Sequence, residues 1–306
     1  VNNMAQKTLI VVVGPTAIGK TEICLEMAEF LNTEIISADS RQIYKELNIG
    51  TAKPSAEEMQ RVSHHFIGTK SIHEYYTAGM YELEVLDTLD TLFEQYNQVL
   101  MTGGSGLYID AVCKGIDELP RIDPQIRNNL LEQYKKEGIE SLRQDLKKLD
   151  PASYEQVDLK NPKRILKALE VTIMTGIPYS SHLTKPHKKR PFRIVKFGLN
   201  RDRSELYRII NHRVDQMINE GLVEEAHELH PHKELNALNT VGYKELFDYF
   251  EGKISLERAI ELIKRNSRRY AKRQLTWFSR DKEIQWFHPE EKDKLFETLQ
   301  TYFVNT

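Results

Sequence analysis

The sequence predicts an α/β protein, a doubly wound parallel sheet interrupted by a helical insertion. Three observations carry that reading. The β-branched run Leu9–Val13 ends at a glycine and is followed by helical apolar spacing. The same order of strand, glycine turn and helix returns at Gln98–Thr102, with Gly103 and Gly104 behind it. From Asp123 to Gly176 the strand signal nearly vanishes and helical periodicity remains. Repeated strand, turn and helix is the grammar of a parallel sheet, and a long helical stretch inside it reads as an inserted unit.

Composition supports this and excludes several classes. At about 100–200 residues per domain, 306 residues make one large domain or two modest ones. With 40% hydrophobic and 29% charged residues, the chain can build a core and is too apolar to be disordered. No apolar run reaches the roughly 18 residues of a membrane helix, so no membrane partner is expected. Leu9–Val13 is also too short for a secretory signal. Cys24 and Cys113 are far apart and form no CxxC, which argues against a disulfide scaffold or structural zinc and fits a reducing, cytoplasmic setting. A net charge of −2 gives no global signal for nucleic acid.

Taken in order, residues 1–7 read as a polar tail and Leu9–Val13 as a buried strand. Gly14–Lys20 is a turn, Thr21–Leu31 a helix with Ile23, Met27 and Phe30 in phase, and Glu34–Ser37 a second strand. Tyr81–Tyr96 reads as a helix with Leu83, Leu86, Leu89 and Phe93 on one side, its Glu82–Asp90 acids forming surface. Gln98–Thr102 is a third strand. Pro124, Pro151 and Pro162 punctuate the helical stretch. Thr184–Pro191 is a basic loop and Ile194–Leu199 a returning strand. Helices follow at Glu205–Glu220, Leu222–Leu229, Tyr243–Glu251 and Leu256–Ser279. The expected organisation is a core of residues 1–119 and 191–306 around an all-helical insertion at 120–190.

Gly14-Pro15-Thr16-Ala17-Ile18-Gly19-Lys20-Thr21 matches G-x-x-x-x-G-K-[ST] in full, in the required context of strand before and helix after. Such a loop turns backbone N–H groups around phosphate oxygens at a helix N-terminus, where the helix dipole also favours anions. Lys20 adds a full charge, and the Thr21 hydroxyl is placed to ligate a phosphate-bound Mg2+. The loop specifies a diphosphate or triphosphate and no base. It sets the expected core as similar to P-loop nucleoside triphosphate hydrolases.

Asp39-Ser40-Arg41-Gln42 follows the second strand, at the sheet edge where α/β proteins bind ligands. Asp39 is a candidate Mg2+ ligand or proton acceptor; a helix cap is the plainer reading. In Gly50–Pro54, Lys53 is either a phosphate or nucleic-acid contact or plain surface. Gly103-Gly104-Ser105-Gly106 allows close backbone approach to a ligand, or is a turn needing glycine for geometry alone.

Two basic clusters stand out in a nearly neutral chain. Lys264, Arg265, Arg268, Arg269, Lys272 and Arg273 share a helix, and most share a broad face. Lys185, Lys188, Lys189, Arg190 and Arg193 form the other. Such stripes attract a phosphate backbone, with Tyr270, Trp277 and Phe278 available to stack on bases or to pack in the core. His64 and His65 are adjacent and point apart on regular structure, and His227, His230 and His232 lack a ligand pattern, so surface or packing roles fit better than zinc.

The motifs resemble those of bacterial tRNA dimethylallyltransferases, also called tRNA isopentenyltransferases. They are Gly14–Thr21, Asp39-Ser40-Arg41-Gln42-Ile43-Tyr44, Gly50–Pro54, Gly103–Tyr108, Arg164–Val171, Arg213–Leu222, Val241–Glu245 and Tyr270–Phe278, in family order over almost the whole chain. The phosphate loop is widely shared. Asp39–Tyr44 together with Ala271–Phe278 is far more restrictive.

The resemblance implies transfer of a dimethylallyl group from dimethylallyl diphosphate to N6 of adenosine 37, 3′ of the anticodon, in tRNAs reading codons that begin with U. It implies that residues Gly14, Pro15, Thr16, Ala17, Ile18, Gly19, Lys20 and Thr21 hold the diphosphate, with Mg2+ at Thr21. Asp39 would accept the amine proton, Arg213 would grip the diphosphate, and Ser105 stands where the family usually has threonine. It further implies tRNA contacts from Asp39, Ser40, Arg41, Gln42, Ser105, Arg127, Lys163, Arg164, Ile165, Leu166, Lys167, Lys272 and Arg273. The partners so implied are a tRNA anticodon stem-loop and dimethylallyl diphosphate, with no obligate protein partner. Ser279 departs from the arginine common after Trp-Phe. Three rivals remain: a small-molecule P-loop kinase, a prenyltransferase acting on free adenine nucleotides, and a non-enzymatic RNA-binding protein.

Overall fold

The structure, a computed structural model, describes residues 6–117, 119–120, 123–184 and 188–302. The first residues of the expected polar tail and Lys185 of the second basic cluster lie outside the described residues.

The chain divides into two compact units, Val1–Cys113 with Arg190–Thr306, and Lys114–Lys189. The first contains β1 (Thr8–Val13), α1 (Lys20–Leu31), β2 (Ile35–Ser37), α2 (Ala56–Arg61), β3 (His64–His65), α3 (Ala78–Gln95), β4 (Gln98–Gly103) and all but the last residue of α4 (Gly106–Lys114). The second holds α5 (Pro124–Glu137), α6 (Ile139–Leu149), α7 (Pro151–Gln156), α8 (Pro162–Thr175) and α9 (Tyr179–His182). The chain then returns with β5 (Arg193–Leu199), α10 (Arg203–Asn219), α11 (Leu222–Leu229), α12 (Tyr243–Phe250), α13 (Leu256–Phe278), β6 (Gln285–Phe287) and α14 (Lys292–Thr301).

Six strands form one sheet in the order β3-β2-β4-β1-β5-β6, every pair parallel. β1 lies between β4 and β5, with Val13 opposite Gly103 on one side and Gly198 on the other. All six of its residues are buried, as expected of a strand covered on both faces. Because the strands are parallel, the segments after β1, β2 and β4 leave the sheet at the same edge. That edge gathers Gly14–Gly19, Asp39–Gln42 and Gly104-Ser105. Packed around it is a core that includes Ile10, Val12, Met27, Leu100 and Phe197.

The second unit has its own apolar centre, built from Leu130, Leu142, Leu146, Ile165, Ala168 and Leu169. It begins at Lys114, earlier than the expected residue 120, and Arg190 belongs to the core unit. Among the described residues no helix is long and apolar enough to cross a membrane.

Two details depart from the sequence reading of α3. Leu83 is 67% exposed, because the buried stripe runs Tyr81, Val85, Leu89 and Leu92. Glu82 is not acidic surface but is buried against Arg190. Strands β3 and β6 and helix α14 were not expected.

Candidate active site

The loop joining β1 to α1 is shaped by two residues in the left-handed region. Gly19, at φ 96°, turns the chain into α1 without a Cβ penalty. Ala17 adopts φ 64°, which costs a non-glycine residue roughly 1 kcal/mol. The Lys20 ammonium donates to the carbonyls of Gly14 (2.9 Å) and Pro15 (2.8 Å), so it folds across its own loop.

Thr16–Thr21 line a cavity of about 340 Å3 together with Asp39, Gln42, Thr51, Arg213, Tyr270 and Gln274. A smaller recess of about 120 Å3 shares Thr16, Asp39, Arg213 and Tyr270 and adds the apolar side chains of Ile210, Val214, Met217 and Ile263. Sequence positions from 16 to 274 thus meet at the carboxyl edge of the sheet.

The electrostatics of this cavity are cationic. Burial, and then the guanidinium of Arg213, holds the Lys20 ammonium down to about 8. Burial likewise lowers the Arg213 pKa, although Asp39, Glu220 and Glu58 oppose it. Among the described residues neither cation has a carboxylate in salt-bridge contact. An arginine stays charged at any ordinary pH, so two positive groups face one partly desolvated space.

Asp39 has two occupations. Its Oδ1 accepts the backbone N–H groups of Arg41 (2.8 Å) and Gln42 (3.2 Å), which closes a turn and not the helix cap of the plainer reading, because no helix follows Asp39. Its Oδ2 accepts no hydrogen bond from a described residue, and Asp39 lines the cavity. Ser105 does not line either cavity. Its Oγ accepts the Ser40 N–H at 2.9 Å and bonds the Ser40 hydroxyl at 3.1 Å, so it supports the turn carrying Asp39 from behind.

The glycine turn is tight because protein, not open space, occupies its surroundings. A Cβ on Gly103 would stand 2.2 Å from the Ala38 carbonyl, and one on Gly106 would stand 2.4 Å from the Trp277 ring. Lys53 is neither bare surface nor aimed into the cavity. Its ammonium donates to the carbonyls of Tyr44 and Lys45 and to Asn48 Oδ1, stapling its own loop. That loop is held further by Glu225, whose carboxylate accepts the N–H groups of Asn48, Ile49 and Gly50 and the Tyr243 hydroxyl. Gln274 and Glu225 escaped the sequence reading. The signal for Gln274 was legible: it is a polar residue in phase with Ala271 and Phe278 on α13, both buried.

A family model described as IPP transferase matches residues 42–281. A Bacteroides fragilis protein named tRNA dimethylallyltransferase 1 is 55% identical over 97% of this chain and 99% of its own length. The chain belongs to the IPP transferase family. Among solved structures, the full-length tRNA isopentenylpyrophosphate transferase of Bacillus halodurans is 35% identical, with a TM-score of 0.71 and 97% of both chains covered. A eukaryotic dimethylallyltransferase acting on tRNA, 23% identical, shares the fold with a TM-score of 0.74 over 92% of this chain and 74% of that one.

The basic residues of this IPP transferase divide into structural and exposed ones. On α13, Lys264 pairs with Asp215 at 2.5 Å, and Arg268 donates to Asn211 while lying over the Tyr207 ring. Arg269, Lys272 and Arg273 are exposed. Trp277 is 38% exposed and donates to Asp110. Phe278 is core. Arg190, expected in a nucleic-acid-facing cluster, is instead buried: it donates to the carbonyls of Val112 and Ala111 and to Glu82. In the helical unit Lys163 and Arg164 are exposed, and Lys167 is half-buried. Ile165 and Leu166 pack into that unit's core, which removes their side chains as RNA contacts. Arg127 Nε lies 2.9 Å from a carboxylate oxygen of Glu170, which is itself buried.

Proposed function

We propose that this chain transfers the dimethylallyl group of dimethylallyl diphosphate to the exocyclic N6 of adenosine 37 in tRNAs reading codons that begin with U. One observation carries the reading: Lys20 and Arg213, neither salt-bridged to a described carboxylate, face one cavity walled by a phosphate loop and by Asp39. Such a space suits a diphosphate whose charge grows as its ester bond breaks. The names carried by the relatives support the tRNA substrate.

In the reaction, the N6 lone pair forms a bond to C1 of the allyl group. The C–O bond breaks and its electron pair leaves with the diphosphate. The proton released from nitrogen passes to the free oxygen of Asp39. Lys20, Arg213 and the loop N–H groups stabilise the departing anion, and Ser105 keeps the Asp39 turn in place. A purine reaches such a crevice only by leaving its stack, which a single-stranded loop permits at little cost. Ser40, Arg41, Gln42, Arg127, Lys163, Arg164, Lys167, Lys272 and Arg273 supply the remaining RNA contacts. A cytoplasmic setting, where tRNA is abundant, fits this activity.

The donor set also bears on the metal. Among the described residues no three carboxylate, histidine or cysteine groups cluster for an ion. Thr21 offers one hydroxyl, which suits an Mg2+ completed by substrate oxygens and water rather than a caged ion. When bound, it would supply charge neutralisation at the diphosphate.

The test offers labelled dimethylallyl diphosphate and Mg2+ with unmodified tRNA, with AMP, or with neither. Transfer to tRNA alone is expected. Transfer to AMP, or ATP hydrolysis without prenylation, would replace this reading with one of its rivals.

A further inference from the structure

Gln274 has no task in the chemistry above, yet both ends of its buried side-chain amide are engaged. It is 6% exposed and projects from α13 into the phosphate loop. Oε1 accepts the Thr16 backbone N–H at 2.9 Å, and Nε2 donates to the Gly104 carbonyl at 3.0 Å. A side-chain amide offers an acceptor and a donor side by side, and these two backbone groups need one of each. Gly104 makes room for it, since a Cβ there would stand 2.1 Å from Nε2.

Thr16 immediately precedes Ala17, the loop residue in a left-handed conformation. Strained backbone persists only where the surroundings hold it. Among the described residues, the side chains bonded to the backbone of residues 14–19 are Lys20, from within the loop's own motif, and Gln274, from across the fold.

We propose that Gln274 is a positioning residue for the diphosphate site. It acts through Thr16, fixing the loop against the turn after β4 so that Ala17 keeps the conformation in which the following N–H groups converge. The same two bonds tie that loop to the helix carrying Arg269, Lys272 and Arg273. This proposal rests on the diphosphate reading of the cavity.

The experiment titrates inorganic pyrophosphate with Mg2+ into the full chain by calorimetry, so that it does not depend on prenyl transfer. Gln274→Met, similar in shape but unable to make either bond, is expected to weaken pyrophosphate binding about tenfold, as the loss of roughly one net hydrogen bond predicts. Its tRNA affinity should stay within about twofold of the parent chain. Adding Ala17→Gly, which relieves the strained position, is expected to restore at least about threefold of the loss. Should Gln274→Met fail to fold, Gln274→Asn withdraws the amide by one methylene and is read the same way. Unchanged pyrophosphate affinity would overturn the proposal. So would a parallel loss of tRNA and pyrophosphate binding that Ala17→Gly does not repair, since that marks a merely structural residue. A parent chain that binds no pyrophosphate would instead overturn the diphosphate reading itself.

Discussion

Lys20 and Arg213 address one cavity from α1 and α10, and the guanidinium depresses the proton affinity of the ammonium. Burial is the larger cause, and together they bring Lys20 to about 8. The lysine is therefore charged below about 8 and neutral above it, while Arg213 stays charged. An arriving diphosphate favours the charged form. Pyrophosphate affinity should be level below pH 8 and fall above it, by at most about tenfold per pH unit, with proton uptake on binding. Calorimetry in buffers of different ionisation enthalpy reads both. Lys20→Met should bind more weakly and show no such slope between pH 7 and 9.5. A slope surviving in that variant would place the titration elsewhere.

Asp39 calls for a substitution that separates its two carboxylate oxygens. Asp39→Asn retains the oxygen that accepts from Arg41 and Gln42 and removes the base. Turnover should fall about 10²–10⁴-fold, the usual worth of a positioned general base, with melting temperature and tRNA affinity nearly unchanged. Asp39→Ala should lose the same turnover and, in addition, about 1 kcal/mol of stability from the lost turn hydrogen bonds. Single-turnover rates and thermal melts distinguish them. If Asp39→Asn keeps most of its turnover, Asp39 is a turn residue only.

What was legible in the sequence was local. Leu9–Val13 and the phosphate loop could be read because strand, turn and helix N-terminus are contiguous in the chain. β3 was missed because two residues hold no period, and β6 because, unlike β2 with Ile35 and Ile36, it offers no β-branched residue. Arg190 read as surface because its neighbours in sequence are basic, whereas its partner Glu82 lies 108 positions away. Gln274 meets Thr16 across 258 positions, and no spacing rule reaches that far. Ile165 and Leu166 show the opposite error: a motif matched as a block mixes the side chains that could meet RNA with those that hold the helix in place.

Glu225 should govern the loop that carries Thr51 into the cavity wall. Three backbone N–H groups and the Tyr243 hydroxyl converge on its carboxylate, and burial followed by that carboxylate keeps the Tyr243 phenol protonated as a donor. Glu225→Gln turns an NH2 group toward some of these donors. A fall of about 5 °C in melting midpoint is expected, with weaker pyrophosphate binding as Thr51 is released. Gly50→Ala should act similarly, since a Cβ there would stand 2.6 Å from the Tyr243 hydroxyl. An unchanged midpoint in both variants would show that Lys53, Gln42 and Thr51 hold the loop without Glu225.

In the helical unit, the fully buried Asp150 joins α7 to α9. Its carboxylate accepts the N–H and hydroxyl of Ser153 and the N–H and hydroxyl of Ser180. Burial works against its charge, but these four bonds hold its carboxyl below the ordinary aspartate value of 3.8. The folded group thus binds its proton less readily than the unfolded one. Its stabilisation is complete above pH 3.8 and is lost as pH falls toward the folded value. Asp150→Asn should cost about 3 kcal/mol at neutral pH, because an amide cannot accept from all four donors. Hydrogen exchange followed by mass spectrometry should show faster exchange in α7 and α9 of the variant at pH 7. The parent chain should lose that protection, after correction for intrinsic rates, only as the pH drops below 3.8. If parent and variant instead exchange alike at pH 7, the apolar centre of Leu142, Leu146 and Leu169 holds these helices without the carboxylate.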